Sequence, residues 1–328
     1  MLLAAAGLIW LAWPTWPKRT AIAPSALATY YAPRRDGPVQ PLPQSIDLNA
    51  DQVALGRILF EDKRLSADDT VSCASCHTLR KYGVDGLAVS SGIHGQKGEL
   101  NAPTVYNSAF NFRQFWDGRA ATLEQQVDGP VGNPIEMGSN WRQVLAKLDV
   151  DGDLQMLAIK AYGHRLDAGV VRSAIATFER SLITPNSPFD RFLAGNRKAM
   201  STEAVAGWRR FRELGCIACH QGVNLGGNMY ATMGTMGDYF KGRPILTSDL
   251  GLYNRTGQAE DKFKFKVPTL RNVAETAPYF HDGRVGKLDD AVTDMAQLQL
   301  GLKLDDGDKA ALVAFLNSLT GSLPGAAE

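Results

Sequence analysis

The chain has 328 residues, 45% of them hydrophobic and 21% charged, with a formal net charge of +1. That length suits two domains of ordinary size, each able to bury its own core. The near-zero charge gives no long-range pull toward nucleic acid or an anionic membrane, and the 4 cysteines, which fall in two short pairs, leave none for a disulfide framework.

Met1 to Trp13 is almost wholly apolar and is broken by Pro14. The stretch is too short to span a bilayer unaided, and it lacks the positive residues expected before it. Residues 1–28 read as a signal peptide, with Ala26-Leu27-Ala28 as a cleavage site, or as an uncleaved anchor. Both outcomes imply export to the periplasm. Residues 29–47 are rich in Pro and polar groups and read as a linker. Leu55, Ile58, Leu59 and Phe60 then fall at helical spacing over about 49–60.

The helix leads into Cys73-Ala-Ser-Cys76-His77, and a second copy of this pattern, Cys216-Ile-Ala-Cys219-His220, lies far downstream. Cys-x-x-Cys-His is the pattern of c-type haem attachment. The two thiols add across the haem vinyl groups, and the adjacent His takes the iron from one side. The rival readings are a zinc site or a thioredoxin-like redox pair. The His that follows both copies, with no βαβ pattern nearby, favours two haems. Attachment occurs outside the cytoplasm, in agreement with export.

A second repeat follows each motif. Pro103-Thr-Val-Tyr-Asn107 matches Pro268-Thr-Leu-Arg-Asn272, and Asp117-Gly-Arg119 matches Asp282-Gly-Arg284 at the same offset. Leu123-Glu124 and Val127 match Leu288-Asp289 and Val292. Helical patterns over 168–182 and 305–319 close the two halves, and Ser201 is the expected N-cap of the helix before the second motif. Residues 222–262, rich in Gly and Met, read as loops. The chain is thus expected to be all-α, a tandem duplication of one haem domain joined near 184–197.

Registering the repeats exposes an asymmetry on the far side of each iron. Met295 has Pro130 as its counterpart, and proline cannot ligate iron. A Met ligand raises the potential of a haem and closes it to exogenous ligands. His220 and Met295 are therefore expected to hold an electron-transfer haem, with Met229, Met233 and Met236 as competitors. The first haem finds another ligand or stays open. Met137 is one candidate; His94, in the glycine-rich run Ser91–Gly98, is another, on a segment able to move. Glu136, beside an open iron, would move a proton between the two oxygens of peroxide. Trp116 stands where the second repeat has His281, and a Trp between two haems would couple them electronically. His164 is expected on the surface with no role.

Together these residues resemble the bacterial di-haem cytochrome c peroxidase family over roughly residues 48–320. The signatures are Asn101-Ala-Pro-Thr-Val105, Gln114-Phe-Trp-Asp-Gly-Arg119, Ile135-Glu-Met137, Leu182-Ile-Thr-Pro-Asn186, Leu270-Arg-Asn-Val273 and Thr276-Ala-Pro-Tyr-Phe-His281. The resemblance implies two class I cytochrome c-like domains facing each other, usually in a homodimer. Residues 48–185 would form the peroxidatic domain and 186–328 the electron-transfer domain. It implies reduction of hydrogen peroxide with electrons from a small periplasmic c-type cytochrome or cupredoxin. Further, it implies His77 as proximal ligand of the peroxidatic haem, Glu136 as catalytic glutamate, Gln126 as a distal-pocket glutamine and Trp116 as the residue between the haems. A calcium ion would be held by the Asn101 side chain and the carbonyls of Thr276 and Pro278, oxygen donors that suit a hard cation. In many members a His in a Ser-x-Gly-His-Gly loop blocks the first haem until the second is reduced. Here His94 comes one place later; without it as a ligand the enzyme would need no reductive priming. The rivals are a relative of the di-haem oxygenase that matures the quinone of methylamine dehydrogenase, where a Tyr replaces the Met ligand, and a non-catalytic carrier with His77/Met137 ligation.

Overall fold

Most of the helices form where a capping side chain precedes an apolar stripe. In the first half these are α1 (Ala50–Glu61), α2 (Leu123–Gly132), α3 (Trp141–Leu148), α4 (Gly152–Tyr162) and α5 (Ala168–Ser181). In the second half they are α6 (Pro188–Leu193), α7 (Thr202–Glu213), α8 (Leu288–Asp294) and α9 (Asp306–Asn317). Asn49, Thr122, Asn140, Asp151, Asp167, Ser187, Ser201 and Asp305 each accept hydrogen bonds from first-turn amides that the helix leaves without partners. Strands are confined, among the described residues, to the antiparallel pair β1 (Tyr230–Thr232) and β2 (Lys264–Lys266) and a few isolated bridges. The all-α expectation holds. This computed structural model describes residues 38–324, so the expected signal peptide or anchor at 1–28 lies outside it. No helix among the described residues is long and apolar enough to cross a membrane.

Each half is organised by one close helix crossing. In the first, α1 lies against α5, where a Cβ at Gly56 would sit 1.9 Å from the Ala174 carbonyl oxygen. In the second, α7 lies against α9, where a Cβ at Gly207 would sit 1.8 Å from the Ala311 carbonyl oxygen. Only glycine permits such contact. Phe60 and Phe178 meet edge to face beside the first crossing with ring centres 5.3 Å apart, and Phe211 and Phe315 meet beside the second at 5.1 Å. The buried side chains fall into one large cluster around Leu55, Val144 and Ile175 and another around Phe189, Phe211 and Phe315.

The internal repeat extends to backbone detail. Asn107 and Asn272 both adopt left-handed conformations, as do Phe115 and Phe280. The bridge Gln114–Ala120 has its counterpart in Tyr279–Val285. The two repeat asparagines converge on one buried residue of the junction: the Asn107 and Asn272 amides donate to Thr184 Oγ1 at 2.8 and 2.9 Å.

One expectation needs correction. The region read as a linker is not free of contacts from Pro38 onward. Val39 and Leu42 are buried, and Val39 pairs with Gly222 as a bridge. The cause is an ion pair that sequence patterning did not show. Arg271 and Asp190, both buried, meet at 2.6 Å. Arg271 also donates to the carbonyls of Val223 and Gln40, while Asp190 accepts from the Leu42 and Ser187 amides. The linker backbone thus completes the coordination of a buried charge pair. Arg271→Met would strand the carboxylate, and a loss of about 3–5 kcal/mol in unfolding free energy is expected by denaturant titration of the haem-loaded protein; a change below about 1 kcal/mol would mean the pair is not structural.

Candidate functional site

The two cysteine motifs fold into similar tight turns. Cys73–Cys76 is a single helical turn with the His77 amide donating to the Cys73 carbonyl at 3.0 Å. Cys216–Ala218 is a 3-10 turn with the His220 amide donating to the Cys216 carbonyl at 3.0 Å. In both, the histidine Nδ1 faces a backbone carbonyl: Gly83 at 3.1 Å from His77 and Leu225 at 3.2 Å from His220. A carbonyl only accepts, so Nδ1 carries the proton and Nε2 keeps its lone pair for a metal. Burial lowers the pKa of His77 and brings that of His220 down to about 4, so both rings are neutral at pH 7, the form that ligates. Burial raises the thiols, Cys216 to about 11 and Cys73 further. That is the reverse of an activated redox pair, whose thiolate is stabilised. The orientation of the imidazoles, with both thiols of each motif beside them, fits two covalently held haems.

A large, mainly apolar cavity opens beside the second motif. His220, Met295, Phe211, Leu316, Trp116 and Lys266 are among the residues lining it. Met295 is the first residue of a π-helical turn, Met295–Gln299, that continues α8; such turns concentrate at functional positions because they re-aim one side chain. Met233 lines the same cavity, so the structure brings two of the four candidate methionines to His220. Met236 is 63% exposed, and Met229 is not among the lining residues.

In the first half, Glu136 is half-buried, and Asn133 Nδ2 donates to its Oε1 at 2.8 Å. Burial raises its pKa, opposed by the charge of Arg119 and by the Asn133 bond. It lies close enough to Cys76 for the two charges to interact, which puts the carboxyl beside the first motif. Gln126 is half-buried on α2. Met137 is buried in the first core cluster. His94 is turned outward, its side chain 67% exposed and its Nδ1 3.5 Å from Asp68. The reason lies in the residue before it. Ile93 is buried against Gly138, and its amide donates to the Glu136 carbonyl at 2.8 Å. This anchor leaves His94 at the apex of the turn in a left-handed conformation. His164 is exposed, as expected.

Trp116 stands between the halves. Its Nε1 donates to the Asn101 carbonyl at 2.9 Å, and its ring packs edge to face on Phe265 and His281. Asn101, Thr276 and Pro278 share one cavity wall. The Asn101 amide nitrogen donates to the Leu87 and Ala88 carbonyls, which turns Oδ1 toward other partners. The carbonyls of Thr276 and Pro278 accept no hydrogen bond from the described residues. Three oxygen acceptors without partners fit a hard cation.

Sequence reasoning missed several residues here. His281 is buried, its Nε2 2.7 Å from Asp249 Oδ1, and Arg243 bridges Asp249 and Asp282. Lys266 is buried on the cavity wall, and Glu179 is buried near Cys73 with Oε2 lacking a partner. The repeat register pointed at two of them, since His281 matches Trp116 and Lys266 matches Asn101.

Comparison with known proteins agrees with this geometry. The sequence model of the di-haem cytochrome c peroxidase family matches residues 50–198. Cytochrome c peroxidase Ccp of Escherichia coli (strain K12) is 46% identical over 301 residues, which make up 90% of this chain and 64% of that protein. The chain therefore spans just under two thirds of that relative's length. Cytochrome c551 peroxidase of Nitrosomonas europaea is 40% identical over 291 residues, 88% of this chain and 85% of that one. The crystal structure of a MauG-like protein associated with microbial copper homeostasis superposes with a TM-score of 0.76 at 27% identity, covering 89% of this chain and 95% of the other. Two haem-attachment turns in duplicated helical halves, with relatives of this similarity over most of the chain, establish that the chain belongs to the di-haem cytochrome c peroxidase family.

Proposed function

We propose that the protein reduces hydrogen peroxide to two waters, taking two protons from solution and two electrons from a small c-type cytochrome or cupredoxin in the periplasm. The observation that carries this reading is Glu136: a half-buried carboxyl beside the first motif, in the half whose repeat register offers Pro130 in place of a Met ligand. When bound there, haem supplies the iron that takes peroxide and exchanges electrons with it. Glu136 takes the proton from one peroxide oxygen and returns it to the other, which leaves as water. Its raised pKa brings it nearer to working pH, where one group can serve as base and then as acid. Asn133 holds the carboxyl in place through Oε1, and Gln126 supplies a further polar group from α2.

In this reading His77 is the proximal ligand of the peroxidatic haem, and His220 with Met295 holds the electron-transfer haem. Trp116 connects them through its packed position between the halves. Calcium at Asn101, Thr276 and Pro278 would tie the first half to the second beside that Trp. The family's usual homodimer is the expected assembly. Met295 is preferred over Met233 because it alone has a place in the repeat register and on a helical frame. The same ligand disfavours the quinone-maturing oxygenase, where a Tyr stands in its place. A passive carrier with His77/Met137 ligation would have no use for the half-buried Glu136 beside the first motif.

Three outcomes test these assignments. Glu136→Gln is expected to lower peroxide turnover by about 10²–10⁴-fold while both haems remain bound, measured by donor oxidation and by haem staining; unchanged turnover removes the role. Met295→Leu is expected to abolish the Met–iron charge-transfer band and lower the potential of the second haem, whereas Met233→Leu leaves both intact. The outward position of His94 predicts a high-spin first haem in the oxidised protein, with a spectrum that His94→Gly does not change. A low-spin His/His signal lost in that variant would instead make the loop a gate.

A further inference from the structure

Lys266 is the buried charge that the proposed reaction does not use. It is only 6% exposed and lies on β2, on the wall of the cavity that His220 and Met295 also line. Its backbone is fully occupied: the amide donates to the Trp116 carbonyl at 2.8 Å, and the residue pairs with Tyr230 in the sheet. Its ammonium has no hydrogen bond and no ion pair among the described residues. The side chain is mostly buried while its ammonium keeps a little exposure, and lysines so enclosed are ordinarily paired. Burial alone lowers its pKa, to about 8, and no carboxylate is near enough to offset that.

The cavity wall therefore carries a lysine ammonium with no anion from the described residues to meet it. A haem is apolar over most of its surface but carries two propionate carboxylates. Phe211, Leu312, Leu316 and Val292 suit the ring, the polar side chains of the wall such as Thr232 and Gln299 are neutral, and Lys266 is the only Lys or Arg among the described lining residues. The repeat adds an independent argument. Lys266 is the counterpart of Asn101, the residue whose Oδ1 is oriented for a cation in the first half. Where one repeat has an acceptor for a mobile cation, the other has a cation built into the chain.

We propose that the Lys266 ammonium binds a propionate carboxylate of the haem held by His220 and Met295, and so sets the potential of that haem. The proposal rests on the reading that those two residues hold a haem. An unpaired buried propionate favours the ferric state, because its negative charge stabilises the extra positive charge on iron. Pairing with Lys266 cancels that effect and keeps the potential high. Lysine suits the task better than arginine in one respect, since a compact ammonium meets one carboxylate oxygen without needing a planar bidentate partner.

The test is a redox titration of the haem-loaded protein, with both haems followed separately. Lys266→Met is expected to lower the midpoint potential of the Met-ligated haem and make it depend on pH, as the stranded propionate takes a proton on reduction. Lys266→Arg should restore the wild-type value, and the first haem should not move. Should Lys266→Met fail to take up haem, Lys266→Gln, neutral and similar in reach, carries the same comparison. Resonance Raman spectra of the wild type and the Gln variant should differ in the propionate bending mode. An unchanged potential with the Met–iron band intact, or a shift confined to the first haem, overturns the proposal. Absence of that band from the wild type would instead sink the haem assignment on which it rests.

Discussion

Among the backbone hydrogen bonds that cross between the halves, two form a reciprocal pair that fixes how the repeats face each other. The Asn101 amide donates to the His281 carbonyl at 2.7 Å, and the Lys266 amide donates to the Trp116 carbonyl at 2.8 Å. These are one contact made twice, because Asn101 and Lys266 are repeat counterparts, as are Trp116 and His281. The reciprocity resembles a two-fold interface between identical subunits, where residue i meets j and j meets i. A duplicated chain that first associated in this way keeps the arrangement once its copies are linked. Thr184, which receives the Asn107 and Asn272 amides together, lies in the joining segment and marks the same pseudo-symmetry.

Backbone symmetry leaves the side chains free to diverge, and the chemistry lies in that divergence. At one position the frame offers an indole in one copy and an imidazole in the other. Trp116 reaches Asn101, whereas His281 turns to Asp249 and stacks on Phe265 with ring centres 4.4 Å apart. At another position the pair is Asn101 and Lys266. At a third it is Pro130, inside the last turn of α2, and Met295, which begins a π-helical turn. Asn101, Lys266, Trp116, His281 and Met295 all line one cavity, so the differences at these positions give the two halves unlike surroundings on a similar helix crossing.

The sequence was most legible where a local pattern has one physical solution. Cys-x-x-Cys-His needs a tight turn that keeps His Nε2 free, and both turns have that form. The helices at 50–61, 168–181 and 306–317 were legible from apolar spacing and capping residues, with ends within a residue or two of expectation. Contacts that join distant segments were not legible. Nothing near Arg271 announces Asp190, nor that the backbone at Gln40 would complete the pair, so the proline-rich run read as a linker although its last part is docked. His94 was visible as a candidate ligand, but its direction depends on Ile93 finding a pocket beside Gly138, a long-range packing fact. The repeat register was the one device that carried long-range information, and it singled out Met295 and Trp116 as places where the two halves differ.

The distribution of buried charge shows how the two sites came to differ. Duplication copies an apolar shell readily, since hydrophobic residues of about the right size are interchangeable. A buried ionisable group is different, because it costs free energy wherever it lacks a partner. The first half holds two such carboxyls. Glu179, with one oxygen unpartnered, is pushed up to about 8 by burial and avoids the cost by staying protonated at neutral pH. Glu136 is less buried, has one amide donor and feels the Arg119 charge, which together oppose the upward push of burial on its pKa. The second half holds an ammonium instead, with no countercharge from the chain. A carboxyl suits a site where protons move, and a cation that can pair with a haem propionate suits a site where only electrons do. In the proposed assignment, the sign of the buried charge, more than the helices around it, distinguishes the half given to peroxide chemistry from the half given to electron entry.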